Sequence, residues 1–454
     1  MPYSSFNPTT NKLIQSHASW DDYRLKQALK KSQGAQQIWA QTPFARRAEV
    51  LRDAATRLRA QRDRYATLIT LEMGKPLREA RAEVEKCASV CDYYALHAED
   101  FLRADATESD AGTSYVAHYP LGVVLAVMPW NFPFWQVFRA AAPALMAGNA
   151  MVLKHASNVP QCALAIEAVF RESGLSEGLF TTLMIEAGQV ADAIASPHVH
   201  AVTLTGSEAA GRKVAASAGQ NLKKCVLELG GSDPFIVLHD ADLELAVDMA
   251  TASRFLNCGQ SCIAAKRFIV VPQIADEFLR RFKIKVEELK LGDPMDDATQ
   301  IGPLARLDLR VTLHEQVSDS IAQGAVAVTG CEPVEREGFF YQPSILDRVT
   351  AKARAWREEL FGPVAIVIRA ANEEDALRIA NETPFGLGSS IWSRDAARAE
   401  QLATQIQAGC TFVNGMVKSD PRLPFGGVKA SGYGRELSKL GIHEFVNAKT
   451  VWIR

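Results

Sequence analysis

Two cysteines lie four residues apart beside a glycine and a glutamine, in the stretch NCGQSCIAAKR over residues 257–267. The three residues between Cys258 and Cys262 do not match the two-residue spacing of a thioredoxin-like redox pair. No paired CxxC or histidine motif supplies the other half of a zinc site, so the sequence predicts no metal centre. The stretch still allows a buried filler, a redox switch or a nucleophilic thiol with its supporting turn.

A second reactive group is Glu228, which stands in the apolar context VLELGG. Removal from water disfavours the charged form of a carboxyl group, so burial would raise the pKa of Glu228 and suit it to general-base chemistry. The alternative is a glutamate at the end of a strand that forms an ordinary salt bridge.

Two further stretches could bind phosphate. The segment VTLTGSEAAG is a predicted strand that turns at Gly206 and Ser207 into a helix containing Gly211. The free N–H groups and the positive dipole at the start of a helix attract anions. Lys154 ends the predicted strand AMVLK, at the edge where open α/β sheets bind nucleotides. A plain strand-to-helix turn and a solvated lysine are the alternatives.

The elements that must position these groups alternate along most of the chain. The first hundred residues carry apolar residues at helical spacing, and from Gly122 short β-rich runs alternate with amphipathic helices as far as Glu228. After Glu228 the alternation begins again. Such alternation predicts an α/β fold with parallel sheets covered on both faces, in two units whose shared cleft is a usual place for a ligand.

Composition excludes several kinds of partner. The 454 residues include 50 Lys plus Arg and 52 Asp plus Glu, so no general electrostatic attraction to nucleic acid or membrane is expected. No basic start precedes an apolar run, which makes the cytoplasm the expected location. The apolar stretch from Tyr119 to Phe138 is interrupted by prolines and is predicted to be buried core.

Five motifs occur in order along the chain: PWNFP at 129–133, LELGG at 227–231, GQSC at 259–262, ELFGP at 359–363 and PFGGVKASGYGRE at 424–436. Together they resemble the NAD(P)-dependent aldehyde dehydrogenase superfamily over nearly the whole chain. The short N-terminus, the KHAS segment and Arg139 make it most similar to bacterial succinate-semialdehyde dehydrogenases. The resemblance implies a Rossmann-like cofactor domain, an α/β catalytic domain and a small β oligomerisation arm.

The resemblance assigns Cys262 as the nucleophile, Glu228 as the general base and Asn131 as a donor to the oxyanion. A thiolate that adds to an aldehyde carbonyl forms a tetrahedral adduct able to release hydride to a nicotinamide, and the thioester left behind is readily hydrolysed. A preorganised donor to the developing oxyanion is worth about 3 kcal/mol in comparable sites. Cys258 is interpreted as a packing neighbour, with a redox role as the alternative.

For the cofactor, NAD or NADP, the resemblance implies contacts from residues in three of the motifs and in the two phosphate-binding stretches. They are Trp130, Lys154, Ser157, Gly206, Ser207, Gly211, Leu229, Glu359 and Phe361. Many NAD-specific relatives carry an acidic residue where Ser157 stands. A carboxylate there would repel the 2′-phosphate of NADP, whereas serine would not.

The substrate is expected to be a small aldehyde. Arg139 resembles the arginine that holds the distal carboxylate in succinate-semialdehyde enzymes, and a guanidinium matches a carboxylate through its planar fork of donors. A second arginine of some relatives is Leu256 here, and Ser419 or Arg422 could compensate. Trp135 could line the entrance. In the alternative, Arg139 pairs with a structural acid and the substrate is another aliphatic or aromatic aldehyde.

The resemblance also divides the chain. Residues 1–104 and 121–227 are expected to form the cofactor-binding domain, residues 228–438 the catalytic domain, and residues 105–120 and 439–454 an arm that joins subunits into a homodimer or homotetramer. Exposed strands in such an arm need covering. A non-catalytic structural or binding protein on the same fold is the alternative from another functional class.

Overall fold

The computed structural model describes residues 3–454. Its strands are β1 (Tyr3–Asn7), β2 (Lys12–His17), β3 (Asp105–Ala106), β4 (Thr113–Pro120), β5 (Val123–Met128), β6 (Ala150–His155), β7 (Phe180–Thr182), β8 (Ala201–Thr205), β9 (Lys224–Glu228), β10 (Asp233–Val237), β11 (Ala265–Val270), β12 (Val326–Thr329), β13 (Ser344–Asp347), β14 (Val364–Arg369), β15 (Gly388–Trp392), β16 (Cys410–Val413), β17 (Gly432–Tyr433) and β18 (Val446–Ile453).

The α-helices are α1 (Asp22–Trp39), α2 (Phe44–Ala60), α3 (Arg62–Met73), α4 (Leu77–Phe101), α5 (Trp135–Met146), α6 (Pro160–Glu172), α7 (Val190–Ala195), α8 (Glu208–Gln220), α9 (Leu243–Phe255), α10 (Ala275–Glu287), α11 (Leu307–Ala322), α12 (Arg354–Arg357), α13 (Glu373–Asn381), α14 (Ala396–Ala403) and α15 (Ser438–His443). Short 3₁₀ segments occur at Ala187–Gln189, Leu256–Gly259 and Lys429–Ser431.

The first sheet has the strand order β17-β9-β8-β5-β6-β7, and every pairing in it is parallel except that of β17 with β9. Its central strand β5 is buried at almost every position, as expected for a parallel sheet covered by helices on both faces. Because parallel strands end at the same edge, the carboxyl ends of β5, β6, β8 and β9 lie side by side. That edge carries the residues predicted to bind phosphate.

The second sheet has the order β12-β13-β14-β11-β10-β15-β16, with only the β12–β13 pair antiparallel. Its strands all come from residues after Glu228, where the alternation of strand and helix was predicted to begin again. The α/β prediction is therefore confirmed. The short strand β17 also follows Glu228, but it joins the first sheet by pairing with β9.

A third, antiparallel sheet has the order β18-β4-β3. Its two long strands are the segments TSYVAHYP and VNAKTVWI, which pair from Val446 with Pro120 to Ile453 with Thr113. Apolar side chains on it face solvent, since Tyr119, Trp452 and Ile453 are about half exposed.

Two local features differ from the expected pattern. The first hundred residues were predicted to be mostly helical, but β1 and β2 form an antiparallel hairpin before the first helix. The long amphipathic stretch after Ala45 is broken at Gln61 into two helices. The stretch from Tyr119 to Phe138 holds β5 and the start of α5, and most of it is buried as predicted, although Tyr119 at its first position is about half exposed. In the described part of the chain, no helix is long and apolar enough to cross a membrane.

Candidate active site

The turn that carries Cys262 has an unusual backbone. Asn257 and Cys258 adopt left-handed conformations, both with φ of 55°, and Gly259 follows with φ of 74°. A left-handed conformation costs a residue with a side chain about 1–2 kcal/mol. Such strain persists only where the surrounding contacts determine the geometry.

Contacts from distant parts of the chain hold this turn. The Asn257 backbone N–H donates to Glu79 Oε2 at 2.7 Å. The Gly302 N–H donates to the Cys258 sulfur at 3.1 Å, so this buried thiol serves as a packing and acceptor group. The Ala305 N–H donates to the side-chain oxygen of Gln260 at 2.9 Å. The turn is therefore fixed before any substrate arrives.

Asn131 belongs to the same network. Its side-chain amide donates to the Gln260 carbonyl at 3.0 Å, while its own carbonyl accepts from the Asn257 side chain at 2.8 Å. Asn131 is only 4% exposed. An amide nitrogen carries two protons, so a second donor is left for an oxygen near Cys262. The structure thus brings together the predicted nucleophile loop and the predicted oxyanion donor.

A buried lysine that the sequence analysis did not select also contacts the turn. Lys266 donates to the carbonyls of Ser261 and Cys262, each at 2.9 Å, and forms an ion pair with Glu359 at 3.2 Å. Its side chain is 1% exposed. The only signal in the sequence is a pair of basic residues, Lys266 and Arg267, at the start of the apolar run in β11. Lys266 connects the nucleophile turn to a predicted cofactor contact.

Cys262 lies between two cavities. It lines a cavity of about 380 Å³ together with Asn131, Ser207 and Glu359. It also lines a second cavity of about 200 Å³ that contains Trp135 and Arg139. A thiol in this position can be reached from both sides.

Glu228 ends β9 and is 2% exposed, but it lines neither of these cavities. Neither oxygen of its carboxyl group has a hydrogen-bond partner among the described residues. A Cβ atom on Gly426 would lie 2.7 Å from Oε1, so the carboxyl group is turned toward the loop at Gly426. A rotation of the side chain is needed before it can reach water near Cys262.

Burial disfavours the charged form of both reactive groups. Burial raises the pKa of the Cys262 thiol to about 12, although the charges of Lys266 and Arg139 oppose that effect. Burial and the neighbouring Glu436 raise the pKa of Glu228 well above its ordinary value. At neutral pH the thiol therefore holds its proton, and the raised pKa of Glu228 favours the protonated form of its carboxyl group.

The cavity of about 380 Å³ contains most of the predicted cofactor residues. Trp130 and Phe361 meet edge to face with ring centroids 5.7 Å apart on its wall. Glu359 is held at the cavity by the Gly231 N–H at 3.2 Å. These side chains form a rigid site for a flat polar ring.

The start of α8 faces the same cavity. Ser207 caps this helix, since its hydroxyl oxygen accepts from the Ala210 N–H at 3.3 Å, and Gly206 precedes it. Gly211 lines no part of the cavity, but a Cβ atom there would lie 2.5 Å from a methyl group of Leu229, which does line it. Gly211 thus allows the helix to pack closely behind the site.

Lys154 and Ser157 line a third cavity, of about 510 Å³. Lys154 also lines a fourth, of about 420 Å³, beside α8. Burial lowers the pKa of the Lys154 ammonium group, and within residues 3–454 it forms no ion pair. Ser157 is exposed at the rim.

Shared residues join the four cavities in a series. Lys154 connects the cavities of about 420 and 510 Å³. Arg306 connects the cavities of about 510 and 380 Å³, with its guanidinium carbon 5.6 Å from the centre of the Trp130 ring. Cys262 connects the cavities of about 380 and 200 Å³. Arg306 was missed by the sequence analysis because no motif marks it.

Three of the four predicted substrate residues line the cavity of about 200 Å³, namely Arg139, Trp135 and Ser419. Arg422 is not brought there. Its side chain is 76% exposed and forms an ion pair with Asp420 at 2.6 Å. Lys86, which the sequence analysis did not select, does line this cavity.

Arg139 has a structural acid as its partner. It forms a buried ion pair with Glu436, and its Nη2 donates to the Thr205 hydroxyl at 3.2 Å. Its guanidinium carbon lies 4.8 Å from the centre of the Phe425 ring. This is the pairing that the alternative interpretation of Arg139 described.

The chain is similar over its whole length to known proteins. The model of the aldehyde dehydrogenase family matches residues 1–451. A Synechocystis protein named as a probable succinate-semialdehyde dehydrogenase, with NADP(+) in its name, is 50% identical and the match covers 100% of both chains. A Mycobacterium tuberculosis succinate-semialdehyde dehydrogenase, also named with NADP(+), is 49% identical with 100% coverage of both chains.

The chain is also similar in fold and sequence to solved structures. The succinic semialdehyde dehydrogenase from Streptococcus pyogenes, solved in complex with NADP+, superimposes with a TM-score of 0.98. It is 39% identical to this chain, and the match covers 99% of each chain.

Proposed function

Because the chain belongs to the aldehyde dehydrogenase family, we propose that it oxidises succinate semialdehyde to succinate with NADP+ as the preferred cofactor. The observation that carries this proposal is the position of Cys262 at the junction of two cavities. One cavity suits a nicotinamide and the other a small aldehyde. Relatives at about half identity over the full chain bear the names of this substrate and this cofactor.

The residues around the larger cavities fit a dinucleotide. The N–H groups at the start of α8 attract negative charge, and so does the ammonium group of Lys154, which forms no ion pair within residues 3–454. Phosphate groups carry such charge. Glu359 offers carboxylate oxygens that can accept from ribose hydroxyls, and the Trp130 and Phe361 rings flank the cavity. When bound, the nicotinamide accepts the hydride that leaves the substrate carbon.

The chain's own residues would divide the remaining work. Cys262 first gives its proton to solvent water, and its thiolate sulfur then adds to the aldehyde carbon while the Asn131 amide donates to the oxygen that becomes negative. After hydride loss the acyl group is held as a thioester on Cys262. Glu228 then rotates toward the cavity and takes a proton from the water that attacks this thioester. Lys266 keeps the turn in place throughout.

Cofactor preference is assigned to Ser157. Replacing it by glutamate places a negative charge beside the 2′-phosphate, and the ratio of kcat/KM for NADP+ to that for NAD+ is expected to fall about ten- to a hundredfold. Ser157→Gln adds the same bulk without charge and serves as the matched control. Equal losses in both variants would mean that side-chain size, not charge, sets the preference.

The experiment that tests the function is a kinetic comparison of succinate semialdehyde, butanal and benzaldehyde with each cofactor, with Cys262→Ala as the blank. A preference for the acidic aldehyde is the expected result. Preference for butanal or benzaldehyde would instead assign the chain to other aliphatic or aromatic aldehydes. Cofactor binding without reduction by any aldehyde would indicate a non-catalytic protein on this fold.

We also propose that the chain has three domains. The cofactor-binding domain comprises residues 1–104 and 121–227, the catalytic domain residues 228–438, and the arm residues 105–120 and 439–454.

We further propose that the chain forms a homodimer or homotetramer through the sheet of β3, β4 and β18. The exposed apolar side chains Tyr119, Trp452 and Ile453 support this oligomer, because an isolated apolar sheet face is poorly compatible with water. Sedimentation velocity is expected to give a mass two or four times that of the monomer. A monomer at micromolar concentration would contradict the proposal.

A further inference from the structure

We propose that Lys86, acting together with Ser419, binds the carboxylate at the far end of the substrate and so determines specificity for an aldehyde acid. The inference rests on the proposed function and refines it. The sequence resemblance assigned this task to Arg139, with Ser419 or Arg422 as support.

Lys86 lies on α4 and lines the cavity that opens onto Cys262. Its Nζ atom donates to the Ser419 hydroxyl at 2.6 Å and lies 4.2 Å from the centre of the Trp135 ring. Within residues 3–454 it forms no ion pair with a carboxylate. Lys86 is therefore a cation aimed into the substrate cavity with only neutral partners.

Arg139 is in a different situation. Its guanidinium is already paired with the buried carboxyl group of Glu436 and donates to Thr205. A substrate carboxylate at Arg139 would have to share it with Glu436, and two negative groups in one buried place repel each other. The positive charge of Arg139 balances the acids around Glu228, which leaves Lys86 to receive the substrate.

The size of the cavity favours a short substrate. Its volume of about 200 Å³ is below the range of about 300–1,000 Å³ that is typical of pockets for drug-sized ligands. Cys262 and Lys86 line the same small space, so an aldehyde on the sulfur and a carboxylate on the ammonium group must belong to a short chain. The Trp135 ring beside Lys86 excludes water and strengthens the pairing.

The charged groups around Lys86 leave its ammonium group available to bind an anion. Burial and the nearby positive charge of Arg139 lower the pKa of Lys86 to about 8, while Glu83, Cys87 and Asp420 oppose this shift. The other ionisable groups at this cavity are Glu79 and Lys418. A carboxylate bound at Lys86 would favour the charged ammonium form and would itself be stabilised by it.

The test compares succinate semialdehyde with butanal, which has the same chain length but no carboxylate. Lys86→Met is expected to raise KM for succinate semialdehyde about ten- to a hundredfold and to reduce the preference over butanal by a similar factor. Lys86→Gln is a second variant in case the methionine form does not fold. Lys86→Arg keeps the charge and should restore most of the preference.

Lys30→Met is the control. It removes the same charge from an exposed residue of α1 that lines none of the cavities described above, and the preference should change by less than about threefold, because exposed charges act weakly through water. A loss as large as that of Lys86→Met would mean that general electrostatic attraction, not a bound ion pair, selects the substrate, and would overturn the assignment.

The pH dependence of KM distinguishes a binding role of Lys86 from a purely structural role, which would leave that dependence unchanged. Since the ammonium form binds the carboxylate, KM for succinate semialdehyde relative to butanal should rise as pH increases through about 8. Taking the ratio cancels the ionisation of Cys262, which affects both substrates. In Lys86→Arg the rise should disappear, because a guanidinium keeps its proton throughout this range.

Two failures can be told apart. If the parent enzyme prefers butanal, both the proposed function and the assignment of Lys86 are wrong. If the parent prefers succinate semialdehyde but Lys86→Met and Lys86→Gln keep that preference, only the assignment of Lys86 is wrong.

Discussion

Replacing Cys262 by alanine is expected to lower kcat for aldehyde oxidation by at least about 10⁴-fold, the order of loss seen when a covalent nucleophile is removed. The reason is that, among residues 3–454, Cys262 and Gln136 line both cavities, and of the two only the thiol can form the acyl intermediate. The measurement is the growth of NADPH absorbance, together with cofactor binding followed by protein fluorescence. Binding should be retained, because the backbone of the turn is held by contacts from other segments.

Cys258→Ala is the matched control, since it removes a thiol from the same turn. Its sulfur is fully buried and accepts from the Gly302 N–H, so its loss should lower the free energy of unfolding by about 1–2 kcal/mol. The value of kcat should stay within a few-fold of the parent. A Cys262→Ala enzyme that turns over at the parent rate, or a Cys258→Ala enzyme that folds but is inactive, would contradict the assignment.

The ionisation of the thiol adds a pH dependence to this result. The pKa of Cys262 in the unliganded protein is raised to about 12. Below that value the thiolate fraction rises about tenfold for each unit of pH. Alkylation of Cys262 by iodoacetamide should therefore accelerate steadily from pH 7 to pH 9. A rate that levels off near pH 7 would mean that the resting nucleophile is already a thiolate.

Glu228→Gln is expected to separate the two halves of the reaction. Formation of the thioester needs the thiol and the oxyanion donor, so a first turnover with a burst of NADPH should remain. Hydrolysis needs a base, and its rate should fall about 10²–10⁴-fold. Mass spectrometry of the peptide that carries Cys262 should then detect the accumulated acyl group.

The same substitution removes a pH dependence. The pKa of Glu228 is raised by burial and by Glu436, so the carboxyl group becomes a base only as pH rises, and hydrolysis in the parent should accelerate with pH. Glutamine cannot ionise, so the variant should lose this acceleration. Its fold should survive, because an uncharged amide of similar size suits a buried position where the charged carboxylate is disfavoured. Steady turnover at the parent rate without acyl-enzyme would refute the role of Glu228.

The raised pKa of Glu228 depends on the buried cluster that it forms with Glu436 and Arg139. Arg139 forms its ion pair with Glu436, and all three side chains are buried, so ionisation of one acid disfavours ionisation of the other. Within residues 3–454 the Glu228 carboxyl group has no hydrogen-bond partner, and burial with the neighbouring Glu436 keeps its pKa raised although Arg139 opposes the shift. The charge of Arg139 therefore acts on the proposed general base as well as on Glu436.

Much of the fold could be predicted because its causes are local. The spacing of apolar residues depends on the period of each helix or strand, and it located β5, β10, β14 and α5 to within a few residues. The hairpin of β1 and β2 was missed because its short strands are largely exposed and have no clear alternation. The motif residues Asn131, Trp130, Glu359 and Phe361 were found because they stand in recognisable short stretches.

What the sequence by itself determined about this protein is the α/β class and its membership of the aldehyde dehydrogenase family; it also predicts the cysteine, amide and glutamate of the proposed site. Only the tertiary structure decided which charges meet. The contact of Lys86 with Ser419 joins residues 333 positions apart, and the pair of Arg139 and Glu436 likewise joins distant segments. No local pattern encodes such a contact, because it depends on how helices and loops from separate parts of the chain pack around one cavity.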